Sequence, residues 1–399
     1  MTATSSFASF IQRRARLAGQ ALLENLGAAN PWFAHVDELQ ASIEARGQRF
    51  VSFGNYDYLG LSHHPAVRDA AVAAIERHGV GVNGSRLVGG ERRFHVEFED
   101  DLARFVGTDA AITLVSGYLT NHTLIPHLLA GDDLLIVDEL AHNSIAMGAR
   151  GARATVKSFR HNDLDHLDAV LRQMRGAHRK CLIVVESLYS MDGDWVELPR
   201  LLDIRDRHDC WLMMDEAHSF GVMGATGRGI CEHYGEDPKR IDVIVGTLSK
   251  TLASSGGFIC AHRLAVEWFR FTLPGFVYSV GLSPAVTAAA HAALGVMIAE
   301  PARTVRNQAN SEMFLAKARA AGLSTGEAMG RAIVPVLFAD FPSTLAAAAR
   351  LLENGIYAPP VIQVGVPQDA PRIRFFLSAD HTEADIDRTI AILAARDPI

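Results

Sequence analysis

The sequence predicts an α/β fold: a mostly parallel sheet in a large domain, followed by a smaller α/β domain. Short apolar runs recur between residues 110 and 260 without polar alternation, as strands covered on both faces require. Amphipathic stretches of helical period separate these runs, the pattern of helices packed on a parallel sheet. After about residue 285 the texture changes to Ala-rich helix and isolated strands.

Residues 1–50 are expected to form an N-terminal arm, helical to about residue 45 and interrupted near Asn30 and Pro31. The large domain is assigned to 51–290. Its strands are read at Ala110–Val115, Leu134–Val137, Leu182–Val185, Trp211–Met214, Val243–Val245 and Gly257–Cys260. Its helices include Ala66–His78, Phe94–Val106, Leu164–Arg175 and Leu198–Arg207. The small domain, 291–399, is read as strand Val334–Phe338, helix Ser343–Asn354, strand Ile373–Leu377 and helix Thr382–Ala395.

Bulk composition narrows the function. Hydrophobic residues are 49% and charged residues 21%, ordinary for a soluble globular protein. A net charge of −7 argues against broad attraction to nucleic acid. No apolar run reaches membrane-spanning length, and the N-terminus lacks the basic-then-apolar order of a signal peptide. Cys181, Cys210, Cys231 and Cys260 are widely spaced, with no CxxC pair, which fits buried free thiols in a cytoplasmic protein.

In open α/β sheets, chemistry collects beyond the carboxyl ends of the strands. The five lysines are Lys157, Lys180, Lys239, Lys250 and Lys317. Only Lys250 lies in a tight hydroxyl- and glycine-rich loop, GTLSKTLASSGGF, directly after a buried strand. Desolvation there would lower its pKa and free the amine for Schiff-base chemistry; the alternative is a surface lysine in a loop. Asp215 ends the apolar run WLMMD and so needs a partner. A protonated pyridine nitrogen is one such partner, and a helix cap or a metal are others. DEAH also matches a helicase motif, but no G-x-x-x-x-G-K-[ST] loop accompanies it. Ser116, Gly117 and Tyr118 join a strand to a helix whose first N–H groups would hold a phosphate, or simply make an ordinary turn. His142 follows another strand, as a ring that stacks on a flat cofactor or as a satisfied polar residue. Gly79–Gly84 matches G-x-G-x-x-G, but a helix precedes it where a dinucleotide site needs a strand.

Together the segments NYDYLGLSHHP, GSRLVGGERRFH, SGYLTNHT, DELAHNSI, ESLYSMDGD, DEAHSFGVMGATGRG, GTLSKTLASSGGF and RIRFFLSADHT resemble the α-oxoamine synthases, from about Phe53 to the end. The resemblance implies a pyridoxal 5'-phosphate (PLP) transferase of fold type I, aspartate-aminotransferase-like, working as a homodimer with active sites at the interface. It implies decarboxylative condensation of a small L-amino acid with an acyl thioester on coenzyme A or acyl carrier protein. Catalytic roles fall to Lys250, His142, Asp215 and His218: Lys250 carries PLP and moves the α-proton, Asp215 pairs with the ring nitrogen, His218 meets the ring hydroxyl and His142 stacks on the ring. Gly117 and Tyr118 would hold the phosphate, helped by Thr247 and by Ser279 from the partner subunit; Ser116 and Ser249 would also contact the cofactor, and Ser190 would line the ring pocket. Arg374 would hold the substrate carboxylate, and no metal is implied.

Some positions depart from relatives. Val280 and Gly281 stand where several carry Thr-Ser, and Asp57 where some carry Asn. Ser85 and Leu87 replace the Thr and Asn of aminolevulinate synthases, leaving room for a small side chain and favouring an apolar acyl group. Serine with a medium or long acyl donor is therefore the favoured pair, as in sphingolipid or secondary-metabolite synthesis. The alternatives are 8-amino-7-oxononanoate synthase or 2-amino-3-ketobutyrate ligase activity. A non-catalytic subunit of the same fold would typically lack the lysine, and the GSRLVGGERRFH and SMDGD segments argue against an aminotransferase.

Overall fold

The computed structural model describes residues 6–17, 30–32, 36–39, 41–361 and 370–395. Its strands, in chain order, are β1 (Asp37–Leu39), β2 (Ser42–Ala45), β3 (Gln48–Ser52), β4 (Ala110–Leu114), β5 (Leu134–Asp138), β6 (Thr155–Phe159), β7 (Cys181–Glu186), β8 (Trp211–Asp215), β9 (Val243–Thr247), β10 (Gly257–Ala261), β11 (Ile333–Leu337), β12 (Ile356–Tyr357), β13 (Pro360–Val361) and β14 (Arg372–Phe376).

Seven of them form the large sheet in the order β4-β10-β9-β8-β7-β5-β6. All its pairings are parallel except those of β10, which runs antiparallel to β4 and β9. Both faces are covered, as the unbroken apolar runs require. Along β7 and β8, Ile183, Val185, Leu212 and Met214 enter one core while Leu182, Val184 and Met213 enter the other. Each is fully buried, so truncating Ile183 to Ala would cost about 2–5 kcal/mol.

A smaller sheet, β11-β14-β13, has its own core of Phe53, Phe314, Val334, Phe375 and Ile386. The N-terminal region departs from expectation. Helix Phe7–Leu17 is present, but Asp37–Ser52 forms β1, β2 and β3, where a helical arm was expected to about residue 45. β3 pairs in parallel with β12, which ties this ribbon to the C-terminal part of the chain. The boundary expected at residue 290 falls inside helix Pro284–Ala299, whose Ala290, Leu294 and Met297 join the large-sheet core.

Gly79 caps helix Pro65–His78 with a φ of 75°, so the G-x-G-x-x-G run is a helix terminus and the turn beyond it. Among the described residues no single helix is long and apolar enough to cross a membrane.

Candidate active site

The loops after β4, β5, β7, β8 and β9 converge on a cavity of about 310 Å³. Of the residues singled out in the sequence, Gly117, Tyr118, His142, Ser190, Asp215, His218, Thr247, Ser249, Lys250 and Arg374 line it. Ser116 stands just behind, capping helix Gly117–Leu128 with its hydroxyl on the Leu119 amide at 3.4 Å.

Asp215 ends β8, and its carboxylate is held in place on both oxygens. Asn121 Nδ2 donates to Oδ2 at 2.7 Å, and the Ala217 amide donates to Oδ1 at 2.9 Å. Asn121 also donates to the Ser144 hydroxyl at 2.9 Å. Ser144 Oγ lies 2.7 Å from His142 Nδ1, so the acid and the imidazole share one network. The amide of His142 donates to Glu186 at 2.6 Å.

Lys250 follows β9 and opens into the cavity, its Nζ 5.6 Å from the centre of the Tyr56 ring. Burial lowers its pKa to about 8, against the pull chiefly of Asp215. That brings the free amine within reach at neutral pH, which nucleophilic and proton-transfer roles need. Burial, then the Lys250 and Arg374 cations, push His218 well below the usual histidine range. It is therefore a neutral imidazole, with the Tyr58 hydroxyl 2.7 Å from Nδ1. His142 is likewise lowered, burial outweighing the opposite pull of Asp215.

One end of the cavity is a helix N-terminus. The first amides of helix Gly117–Leu128 have no partner within the helix by geometry alone. A Cβ on Gly117 would stand 3.0 Å from Thr247 Cβ, so glycine lets the Thr247 wall close on this end. Thr247 Oγ1 and Ser249 Oγ lie 2.7 Å apart there. Arg374, also on the lining, donates through Nη1 to the Ser190 carbonyl at 2.9 Å, while its buried Nε has no hydrogen-bond partner among the described residues.

Ser85 and Ser279 do not line this cavity. Ser85 donates its hydroxyl to the Val277 carbonyl at 2.6 Å and bridges to Val280, so the two loops that carry these serines are joined to each other.

Tyr56, Asn121, Ser144 and Glu186 also line the cavity, and sequence reasoning missed them. Glu186 was findable: it ends the apolar run CLIVVE just as Asp215 ends WLMMD. Asn121 lies four residues after Gly117 on one helix, and so on the same face.

The fold and this lysine-centred site define the class of the protein, and comparison with known proteins narrows it. The model for class I and II aminotransferases matches residues 48–393. A putative 8-amino-7-oxononanoate synthase of Phenylobacterium zucineum is 41% identical over 88% of this chain and 89% of its own length. An 8-amino-7-oxononanoate synthase of Beijerinckia indica is 37% identical over 89% and 90%. A serine palmitoyltransferase from S. paucimobilis with a bound PLP–myriocin aldimine superposes with a TM-score of 0.89 at 28% identity, covering 94% of this chain and 96% of that one. The chain belongs to the α-oxoamine synthase family of PLP-dependent enzymes, within the class I and II aminotransferases.

The residues present fit that cofactor. An anion-binding helix start, a carboxylate on the cavity floor, a ring histidine and a lysine of lowered pKa surround one cavity, and the orphaned Arg374 Nε still needs an acceptor.

Proposed function

We propose that this enzyme condenses a small L-amino acid with an acyl thioester, releasing the thiol and carbon dioxide and leaving an α-oxoamine. The observation that carries the reading is the convergence of Lys250, Asp215, His142, His218 and Arg374 on one cavity in a chain of this family. PLP, when bound, supplies an electron sink for charge formed at the amino acid's α-carbon.

The chain's own residues do the rest. Lys250 would hold the cofactor, and its amine of lowered pKa would move the α-proton. Asp215, fixed by Asn121 and the Ala217 amide, would face the ring nitrogen and keep a proton there. Neutral His218, set by Tyr58, would meet the ring hydroxyl, and His142 would pack on the ring face. The amides of Gly117 and Tyr118, with the Ser116, Thr247 and Ser249 hydroxyls close by, receive the phosphate. Ser190 lines the pocket, and Arg374 receives the substrate carboxylate, a task suited to a planar two-donor fork.

The working form is a homodimer in which Ser279 and Ser85 face the neighbour's site. Tyr278 (87% exposed), Val88 (86%) and Val280 (58%) on the two joined loops support this, since such apolar side chains want a partner surface. Four free, buried cysteines fit a cytoplasmic enzyme.

Serine with a medium or long acyl group, on coenzyme A or a carrier protein, is the favoured pair, because Ser85 and Leu87 leave room and lack polar acyl contacts. Its product class would serve sphingolipid or secondary-metabolite synthesis. The 41% identity to a putative 8-amino-7-oxononanoate synthase favours a second reading, the reaction in that protein's name. A mass-spectrometric product screen of glycine, alanine and serine against short and long thioesters on both carriers decides between them. Glycine with succinyl-CoA as the best pair contradicts both.

A further inference from the structure

Behind the cavity wall, His161 sits where two site-bearing loops meet. Its Nδ1 is 2.9 Å from Asp138 Oδ1 and its Nε2 is 2.9 Å from Asp194 Oδ2. Two carboxylate partners make both ring nitrogens donors, which only the cationic ring can supply. Asp138 ends β5 and opens the loop to His142, and it also accepts the Leu140 and Asn162 amides at 2.8 and 2.9 Å. Asp194 closes the loop that carries Ser190, and its carbonyl accepts the Tyr189 amide at 2.9 Å. The Tyr189 ring meets His161 edge-on, 4.5 Å between centroids. Asp138 and Asp194 are both buried, and among the described residues only His161 pairs with either as a cation.

We propose that His161 is a positioning residue: as a doubly donating cation it ties the loop presenting His142 to the loop presenting Ser190 and so fixes the spacing of these two cavity walls. The inference rests on the PLP-site reading above. A neutral ring donates from one nitrogen only and would leave one buried carboxylate facing a lone pair. Burial alone would lower the imidazole, but the hydrogen bonds and charges of Asp138 and Asp194 override it and raise the pKa to about 10. The second wall is also held from the far side. Arg374 donates to the Ser190 carbonyl at 2.9 Å and Arg372 to the Met191 carbonyl at 3.0 Å, so slack at Asp194 would be felt at Ser190.

The test compares holoenzyme of the wild type, His161→Gln, Asp194→Asn and the double variant by visible circular dichroism of the bound cofactor and by PLP dissociation. The first expected result is a changed cofactor signal in folded His161→Gln, with a PLP Kd raised about tenfold, the scale of one lost charge-assisted hydrogen bond. Because the two side chains act as one unit, the double variant should lose little more than His161→Gln alone. A merely structural role would lower the melting temperature and leave the cofactor signal and Kd unmoved, which overturns the proposal, as do fully additive losses. Should His161→Gln not fold, Asp194→Asn alone decides on the same two readouts. A wild-type protein that binds no PLP overturns the cofactor reading as well, a result distinct from defects confined to the variants.

Discussion

Glu186 and Asp215 are register partners at the carboxyl ends of β7 and β8, so two carboxyl groups meet on the floor of one cavity. Their surroundings separate them. Burial first, then the Asp215 charge, push Glu186 up to about 8. Asp215 instead receives Asn121 and the Ala217 amide. One carboxyl is kept neutral at neutral pH while its neighbour is furnished with donors, a division of labour set by environment rather than residue type.

This relation has a pH signature. Glu186 carries a raised folded pKa, so its cost to stability starts near its unfolded value and grows until pH passes about 8. Glu186→Gln keeps the acceptor for the His142 amide and removes that cost. Melting of the cofactor-free variant should exceed wild type by a margin that widens from pH 5 to pH 8. A margin that does not widen over that range means Glu186 is already ionised there.

Asp215→Asn should retain PLP yet lose at least about 100-fold in kcat, the equivalent of about 2.7 kcal/mol of transition-state stabilisation. A neutral amide cannot keep the ring nitrogen protonated. Lys250→Ala should abolish turnover and the borohydride-dependent labelling of the Lys250 peptide. Near-normal turnover in Asp215→Asn would place the pyridinium partner elsewhere.

Arg374→Lys should reduce kcat/KM for the amino acid by about tenfold to hundredfold, the scale of one lost charge-assisted hydrogen bond. PLP affinity should hold, because the lysine keeps the charge but not the fork. Unchanged kcat/KM would remove Arg374 from carboxylate recognition.

Sedimentation should give a dimer, and Tyr278→Asp should weaken it and lower activity together, since the Tyr278 loop carries Ser279. A fully active monomer would show that each chain completes its own site.

Much of this was legible because it was written in burial. The interior strands of the large sheet read as apolar runs, and the polar residues ending them mark the cavity. β6 was missed because Val156, Lys157 and Ser158 are exposed on an edge strand, leaving no apolar run. Helix Ala302–Ala320 was missed for the opposite reason: it buries Thr304, Asn307, Asn310 and Ser311. Asn307 donates to the carbonyls of Tyr58 and Leu377, and Asn310 to those of Ser378 and His381, so the first half of the inward face is polar and only Phe314, Leu315 and Ala318 continue it as apolar residues. The strands of Asp37–Ser52 are short and bury only Ile43, Ala45 and Phe50 as an apolar cluster, and their order depends partly on β12, some three hundred residues away. His161 owes its role to Asp138 and Asp194, partners scattered in sequence, which no local motif reveals.

The most direct measurement uses an amino acid labelled with ¹³C in its carboxyl group, supplied with an acyl thioester to the PLP-loaded enzyme. Labelled carbon dioxide and free thiol should appear in equal amounts with an unlabelled α-oxoamine, and Lys250→Ala should abolish all three. Amino-group transfer to a 2-oxo acid with the label retained, and no thiol released, would contradict the account.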